Sequence, residues 1–487
     1  MTNTDLIATL PLLLLLSYAS VLLLVDLFIP AGRKKWTGWL ALLGLAASAA
    51  GLLPWPSAGH LTAFNGMVIA DGFSLFLTLI FLLSGALTIL IALSYLPRMG
   101  IERGEFYILL LFTLSGMVLM SQAADLIVVF LALELLSIPL YILSGFARPS
   151  PSSEESAMKY FLLGAFASGF LVYGIALTYG ATGTTHLASV LAAVQGGAAS
   201  NGLLLAGAAL ILVGLGFKVA AVPFHMWTPD VYEGAPSVVT AFMSVGAKAG
   251  GFAALLRVFV SALPNGALQW ALIAALISAL TMTLGNFAAI AQSNIKRMLA
   301  YSSIAHAGYI LMGVVAAGSF KEGLSDFAVG ASLFYLLAYA LTNLGTWAVV
   351  IAVERSEGQG LALDDYAGLG ARRPGLALAM ALFMLSLTGL PPTVGFIAKF
   401  YVFRAAIEAG YVWLALVGVL TSLVSAYYYL RVVIVMYMRE GEGRALPHPA
   451  LTFAVGFTAL ATFVFGILPT PLMDLATRSL LALTLAR

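Results

Sequence analysis

Gly214 to Pro236 reads GLGFKVAAVPFHMWTPDVYEGAP, and the reading of this stretch decides the fold. It continues an apolar run, Leu203 to Val213, that has the composition of half a membrane span. Where the second half is due, the chain instead places Gly214, Gly216, Lys218, Pro223 and His225. Pro223 has no N–H to offer the carbonyl of Val219, so a helix here is interrupted and an acceptor is freed. Interrupted backbone is tolerated in hydrocarbon only where protein buries it or where it lines a water-filled cavity. A lysine beside such a break marks a functional site by default. Ser386 to Phe400, SLTGLPPTVGFIAKF, repeats the construction with Pro391, Pro392 and Lys399. Paired interrupted helices in corresponding halves of a chain point to a transport site.

The rest of the chain fits that reading. Of 487 residues, 61% are hydrophobic and 9% charged, with a mean hydropathy of +1.02; a soluble domain carries about 25% charged residues. The chain is therefore expected to be an all-α membrane protein embedded in a lipid bilayer. A net charge of +2 gives no footing for nucleic acid. The absence of cysteine excludes thiolate-held iron–sulfur clusters and disulfides. Five scattered histidines make no haem pair, and neither a dinucleotide fingerprint nor a P-loop is present. No cofactor and no metal is expected in this chain. The N-terminal MTNTDLIATL lacks a basic region and leads into a run too long for a signal peptide, so it reads as a retained first helix.

At about 20 apolar residues per span, fourteen helices are predicted, near 5–30, 36–55, 72–96, 105–121, 125–146, 158–181, 203–232 (broken), 237–262, 267–291, 299–318, 327–353, 376–402 (broken), 411–437 and 450–472. One set of alternate loops holds Arg33, Lys34, Lys35, Arg98, Arg103, Arg148, Lys296, Arg297, Arg355, Arg372, Arg373, Arg439 and Arg444. The other holds only Lys321, Arg404, Arg478 and Arg487. The first set therefore faces the cytoplasm, and both termini lie on the outer side of the inner (plasma) membrane. Spans 4–8 and 9–13 form two blocks of five, each with its broken helix fourth. An odd number of spans starts the second block on the opposite side, so the blocks read as inverted repeats. The resulting division is 1–104, 105–262, 263–437 and 438–487.

Depth sorts the ionisable residues. Asp26, Arg257 and Arg431 lie near span ends, where they can pair or snorkel. Glu134 is nine residues into DLIVVFLALELLSIPLYIL, about 13 Å deep at ~1.5 Å per residue. Lys248 is equally central in the eighth span, and Lys218 and Lys399 flank the two breaks. Each costs roughly 2.5–3.5 kcal/mol at a helix centre, a cost that structural ion pairs or a proton relay would repay. A carboxylate ~7 Å from an ammonium at an effective dielectric of ~20 contributes about 2.4 kcal/mol, enough for Glu134 to decide whether a neighbouring lysine holds its proton. Three further residues have two readings each. Lys159, at the start of the sixth span, is a relay member or a surface salt bridge. His306, beside Ser302 and Ser303, is a relay member or a packing residue. His225 is a relay member or a cap of the broken segment.

These stretches resemble the antiporter-like subunits of proton-pumping NADH:quinone oxidoreductase, respiratory complex I. The resemblance is carried by LALELLSIPLYIL around Glu134, SAMKYFLLGAFASGFLVYGIALTYGATG from Ser156, and FKVAAVPFHMWTPDVYEGAP from Phe217. It continues in NIKRMLAYSSIAHAGY from Asn294, DDYAGLGARRP from Asp364 and LTGLPPTVGFIAKFYVF from Leu387. Among the branches it is nearest the N type: the L type carries a long C-terminal lateral helix, and the M type has glutamate where Lys399 stands. The resemblance implies fourteen helices in two inverted five-helix repeats, with Glu134, Lys218, Lys248 and Lys399 as relay residues and Lys159 as a further lysine of the set. It also implies partner subunits, membrane and peripheral, that hold the flavin, iron–sulfur clusters and quinone. Two other functions remain open at this point, a cation/proton antiporter module working without redox partners and a membrane scaffold that does not pump.

Overall fold

Thr2 opens the first helix by accepting from the Asp5 N–H while the Asp5 carboxylate accepts from the Thr2 N–H, a reciprocal capping box. Asp71 and Ser74 repeat the device at the third long helix. The computed structural model describes residues 2–55, 60–197, 201–263, 270–319, 323–356 and 358–479. Lys321 and Arg487, used above for orientation, lie outside the described residues, as does the predicted start of the ninth span at 267.

The helices in order are α1 (Asn3–Asp26), α2 (Lys35–Ala50), α3 (Gly72–Arg98), α4 (Glu105–Gln122), α5 (Leu126–Ser144), α6 (Pro151–Thr182), α7 (Leu187–Gln195), α8 (Asn201–Val219), α9 (Trp227–Gly234) and α10 (Ser237–Ala262). They continue as α11 (Trp270–Ile290), α12 (Ile295–Ala317), α13 (Leu324–Val353), α14 (Pro374–Thr388), α15 (Val394–Glu408), α16 (Val412–Met438), α17 (Pro449–Ile467) and α18 (Thr470–Arg478). Among the described residues, 12 helices are long and apolar enough to cross a membrane. Both predicted breaks are present: α8 stops at Val219 and α9 resumes at Trp227, and α14 stops at Thr388 with α15 resuming at Val394.

Burial separates core from rim. The most apolar stretch of α10 is wholly buried, and those of α12 and α13 are 94% buried, whereas in α1, α6, α16 and α17 only 39% is buried. Helices that are apolar all round and fully enclosed belong to the core of a bundle; those that leave Leu, Phe and Val outward, as α6 does with Phe161, Leu162 and Phe166, face lipid. Glycine allows the closest approaches. A Cβ on Gly285 would sit 2.6 Å from the Ala305 nitrogen, and one on Gly308 would sit 2.6 Å from Met282, so α11 and α12 pack backbone to backbone.

The structure departs from expectation in four places. A two-stranded antiparallel hairpin, β1 (Leu61–Ala63) with β2 (Val68–Ala70), interrupts the all-helical plan. Its turn passes through Asn65 and Gly66, both at positive φ, as the Asn-Gly signal allows. The sixth span starts at Pro151 rather than near 158, because Ser150 caps it and Pro151 fits the first turn; Lys159 stands in its third turn. Arg257 does not snorkel. It is fully buried, with Nη1 and Nη2 donating to the Asp71 carboxylate at 2.7 and 2.6 Å and Nε donating to the Ser121 carbonyl at 3.0 Å. The turn that begins α3 brings Asp71 to the C-terminal end of α10, which sequence spacing could not show. Finally, the eighth span is not a uniform α-helix: Met243–Ala247 and Leu256–Ala262 are wound as π turns, a feature frequent at functional sites.

Candidate functional site

Lys218 lies in the last turn of α8, where the helix dipole favours a cation. Its Nζ donates to Ser137 Oγ at 2.8 Å and to Tyr160 Oη at 3.1 Å. Tyr160 stacks on Trp227 at 4.5 Å between centroids, and Trp227 Nε1 donates back across the break to the Phe217 carbonyl at 3.1 Å. The gap between α8 and α9 is thus spanned by side chains. The backbone turns sharply through Ala220, whose φ is +61°, an uncommon conformation for a residue with a Cβ. The Val222 N–H is taken by Thr281 Oγ1 at 2.9 Å, so α11 satisfies part of the broken segment.

Glu134 lies one turn before Ser137 on α5 and accepts from Ser168 Oγ at 2.5 Å. It is half-buried and lines a groove of about 520 Å³ between α5 and α6 with Tyr141 and Ser168. Glu134 and Lys218 are therefore related through one helix face, Glu134 to Ser137, rather than by a direct ion pair.

Lys248 follows directly on the first π turn of α10 and is buried. Its ammonium donates to the Ser303 carbonyl and, at 2.6 Å, to Ser303 Oγ on α12. His306, one turn further along α12, sits in a cage of tyrosines. Nδ1 meets Tyr335 Oη at 2.8 Å, Nε2 meets Tyr429 Oη at 3.2 Å, and the ring lies 4.9 Å from Tyr339 and 5.7 Å from Tyr309. The same two rings carry the lysines: Lys248 Nζ lies 5.9 Å from the centre of Tyr339 and Lys399 Nζ lies 4.7 Å from the centre of Tyr309. Both are cation–π distances. Tyr309 Oη accepts from Asn286 Nδ2 at 3.0 Å, and Asn286 Oδ1 accepts from Tyr428 Oη at 2.9 Å.

Lys399, in the second turn of α15, donates to the carbonyls of Leu387 and Thr388 at 2.9 Å each and to Ser422 Oγ at 2.8 Å. The break in the twelfth span frees these two carbonyls, and the ammonium takes them directly. The C-terminal end of α14 carries unpaired carbonyls and negative dipole charge, so a cation is its natural partner. Gly389 makes room for this contact. Its φ is +89°, and a Cβ there would lie 2.8 Å from Lys399 Cδ.

The structure brings Lys248, His306 and Lys399 into one polar, aromatic-lined series, with Lys218 on a neighbouring cluster that includes Ser137 and Tyr160. Lys159 stands apart at the surface, paired with Glu155 and Asp230 at 2.7 Å each, while Asp230 also holds Arg297 at 2.8 Å. His225 is half-buried beside the break. It does not cap α9 with its side chain; its carbonyl accepts from the Thr228 N–H at 2.9 Å. Sequence reasoning missed the tyrosines. Tyr335 and Tyr339 are four residues apart in LFYLLAYALTN, hence on one helix face. That spacing was a usable signal.

Residues 123–425 match the family described as NADH:quinone oxidoreductase/Mrp antiporter, TM. The NADH-quinone oxidoreductase subunit N of Chloroflexus aggregans is 54% identical over 480 residues, covering 97% of this chain and 96% of the relative. A chain of respiratory complex I from Thermus thermophilus, solved with bound aureothin, superposes with a TM-score of 0.81 at 37% identity, covering 96% of this chain and 99% of that one. A chain of the Mrp complex from Dietzia shares the fold, with a TM-score of 0.83 at 23% identity over 98% of this chain and 97% of that one.

Proposed function

We propose a route for protons through this chain, which belongs to the NADH:quinone oxidoreductase/Mrp antiporter membrane-subunit family and, within it, to the subunit N branch of NADH-quinone oxidoreductases. It is an antiporter-like membrane subunit of a multisubunit enzyme complex and takes part in proton translocation. The observation that supports the proposed route is the buried series Lys248, Ser303, His306 and Lys399, in which Lys248 donates to Ser303 and the Tyr309 ring lies between His306 and Lys399. Lys218 and Lys248 collect protons from the cytoplasmic side, with Glu134 tuning them through the α5 face that also holds Ser137. His306 passes the proton between two cation-bearing tyrosine rings, and Lys399 delivers it outward. Lys159 and His225 take part at the entrance, Lys159 through the Asp230–Arg297 cluster and His225 beside the break.

The full architecture is proposed as fourteen spans. To the 12 long apolar helices are added α2, of 16 residues, and the broken pair α14 and α15. Spans 4–8 (105–262) and 9–13 (263–437) are the inverted repeats, framed by 1–104 and 438–487. The Lys/Arg-rich loops are cytoplasmic and both termini lie outside. Redox chemistry belongs to partner subunits that hold flavin, iron–sulfur clusters and quinone. The purified polypeptide alone is expected to show no flavin, haem or iron–sulfur absorbance, and a stoichiometric chromophore would overturn that division of labour.

The relay is tested at Glu134, which is half-buried where Lys218, Lys248 and Lys399 are enclosed. Glu134→Gln keeps the hydrogen bond to Ser168 and removes the charge. In the assembled complex it is expected to lower both proton pumping and coupled quinone reduction several-fold. Unchanged pumping by an assembled Glu134→Gln complex would remove Glu134 from the route.

A further inference from the structure

A buried carboxylate outside the relay stands at the Lys/Arg-rich face. Glu354 follows the last residue of α13 and is 2% exposed. With Tyr95, Ala235 and Lys296 it lines a cavity of about 440 Å³, whose other wall includes the exposed residues Pro151, Ser152 and Gly358. The cavity thus runs from the surface to the carboxylate. Tyr95 Oη donates toward Glu354 Oε1 at 3.5 Å and accepts from the Ser237 N–H, the first residue of α10, at 3.1 Å. Lys296 Nζ donates to the Ala235 carbonyl at 2.6 Å, between α9 and α10. Glu354 Oε2, Ser237 Oγ and Tyr366 Oη are buried and find no hydrogen-bond partner in the protein. Buried polar atoms of this kind are met by water where the site is polar and roomy, at about 30 Å³ per molecule.

The groups that face Glu354 are Tyr95 and Arg98 from α3, Lys296 from α12, and Tyr366 and Ser237. Burial holds its carboxyl above the usual carboxylate range, while Lys296 and Arg98 pull it the other way. Inward of the cavity, Tyr232 stands one turn before Ala235 on α9 and faces Ser303, the residue that holds Lys248. From Ser237 to Lys248 is 11 residues of one helix, about 16 Å at ~1.5 Å per residue. No member of the relay described above fills that distance.

We propose that Glu354 is the proton-collecting group at the mouth of this cavity and loads Lys248 by way of Tyr232 and Ser303. A proton from bulk water is accepted on the Glu354 carboxylate, passes along cavity water to Tyr232 and Ser303, and is bound by neutral Lys248. Its departure returns Glu354 to the carboxylate, which Lys296 then holds. The inference rests on the proton-translocating reading and names its entrance.

The test uses the whole complex reconstituted in vesicles. E354Q is expected to slow pumping about tenfold or more, the scale of losing a proton-transfer group, with the loss growing as pH rises and protons become scarce. E354D, which keeps the carboxyl, is expected to restore most of the rate; a purely structural role would not follow the pH profile or the carboxyl. An assembled E354Q complex that pumps normally while Lys248→Ala does not would overturn the entrance and leave the relay standing. If both pump normally, the relay itself falls. Should E354Q fail to assemble, the decision passes to E354D and to an infrared carboxyl band that this variant shifts during turnover; no such band overturns the proposal.

Discussion

Arg257→Leu is expected to strip most of the subunit from the membrane, a larger effect than any substitution on the lipid-facing rim. The guanidinium is wholly enclosed and the Asp71 side chain is 3% exposed. Leucine would leave that carboxylate in an apolar interior without its cation, also releasing the Ser121 carbonyl. Breaking a buried pair from one side costs about 3–5 kcal/mol, against a total stability of about 5–15 kcal/mol for an ordinary domain. Steady-state level in membranes and the thermal unfolding midpoint in detergent would report it. The double variant Arg257→Leu with Asp71→Asn should recover part of the loss, since asparagine still caps α3 and carries no charge. A single variant that accumulates and melts as the parent does would show that the pair contributes little.

The contrast between Arg257 and Lys399 explains how much of the molecule could be read in advance. The breaks were legible because proline and glycine act locally: Pro391, Pro392 and Gly389 end a helix wherever they stand. The central lysines were legible because their cost at that depth needs an explanation. What the chain does not print is which distant groups meet. Asp71 and Arg257 are 186 positions apart, so Arg257 read as a residue that snorkels. The Tyr335 and Tyr429 hydroxyls and the Tyr309 and Tyr339 rings meet His306 from three helices, and only Tyr335 and Tyr339 share a local pattern. Lys159 carried two readings in sequence, a relay member and a surface salt bridge, and spacing alone could not show its pairing with Asp230, 71 positions away. The hairpin before α3 was overlooked because three-residue strands vanish beside spans of twenty.

Lys399→Ala is expected to block proton release more than proton uptake, and the reason lies in the end of α14. The Lys399 ammonium is the hydrogen-bond partner of the Leu387 and Thr388 carbonyls at the break, and its position beside Ser422 ties α14 and α15 to α16. Removing it leaves two buried acceptors without a charge-assisted bond, each worth about 1.5–3 kcal/mol. A loss of ~1.4 kcal/mol is already tenfold in the occupancy of a protonated state, so steady-state pumping should fall by at least that factor. The proposed uptake side rests on different contacts: Lys218 is held by Ser137 and Tyr160, and Lys248 by Ser303, none of which the substitution touches. In a single turnover of the complex in vesicles, the Lys399→Ala enzyme should still take up protons from the Lys/Arg-rich side, with release on the far side delayed. Lys218→Ala should show the reverse, a slowed uptake followed by release that merely tracks it. Equal slowing of both phases in both variants would mean that the lysines act as one electrostatic unit, and the ordered passage from Lys248 through His306 to Lys399 would have to be abandoned.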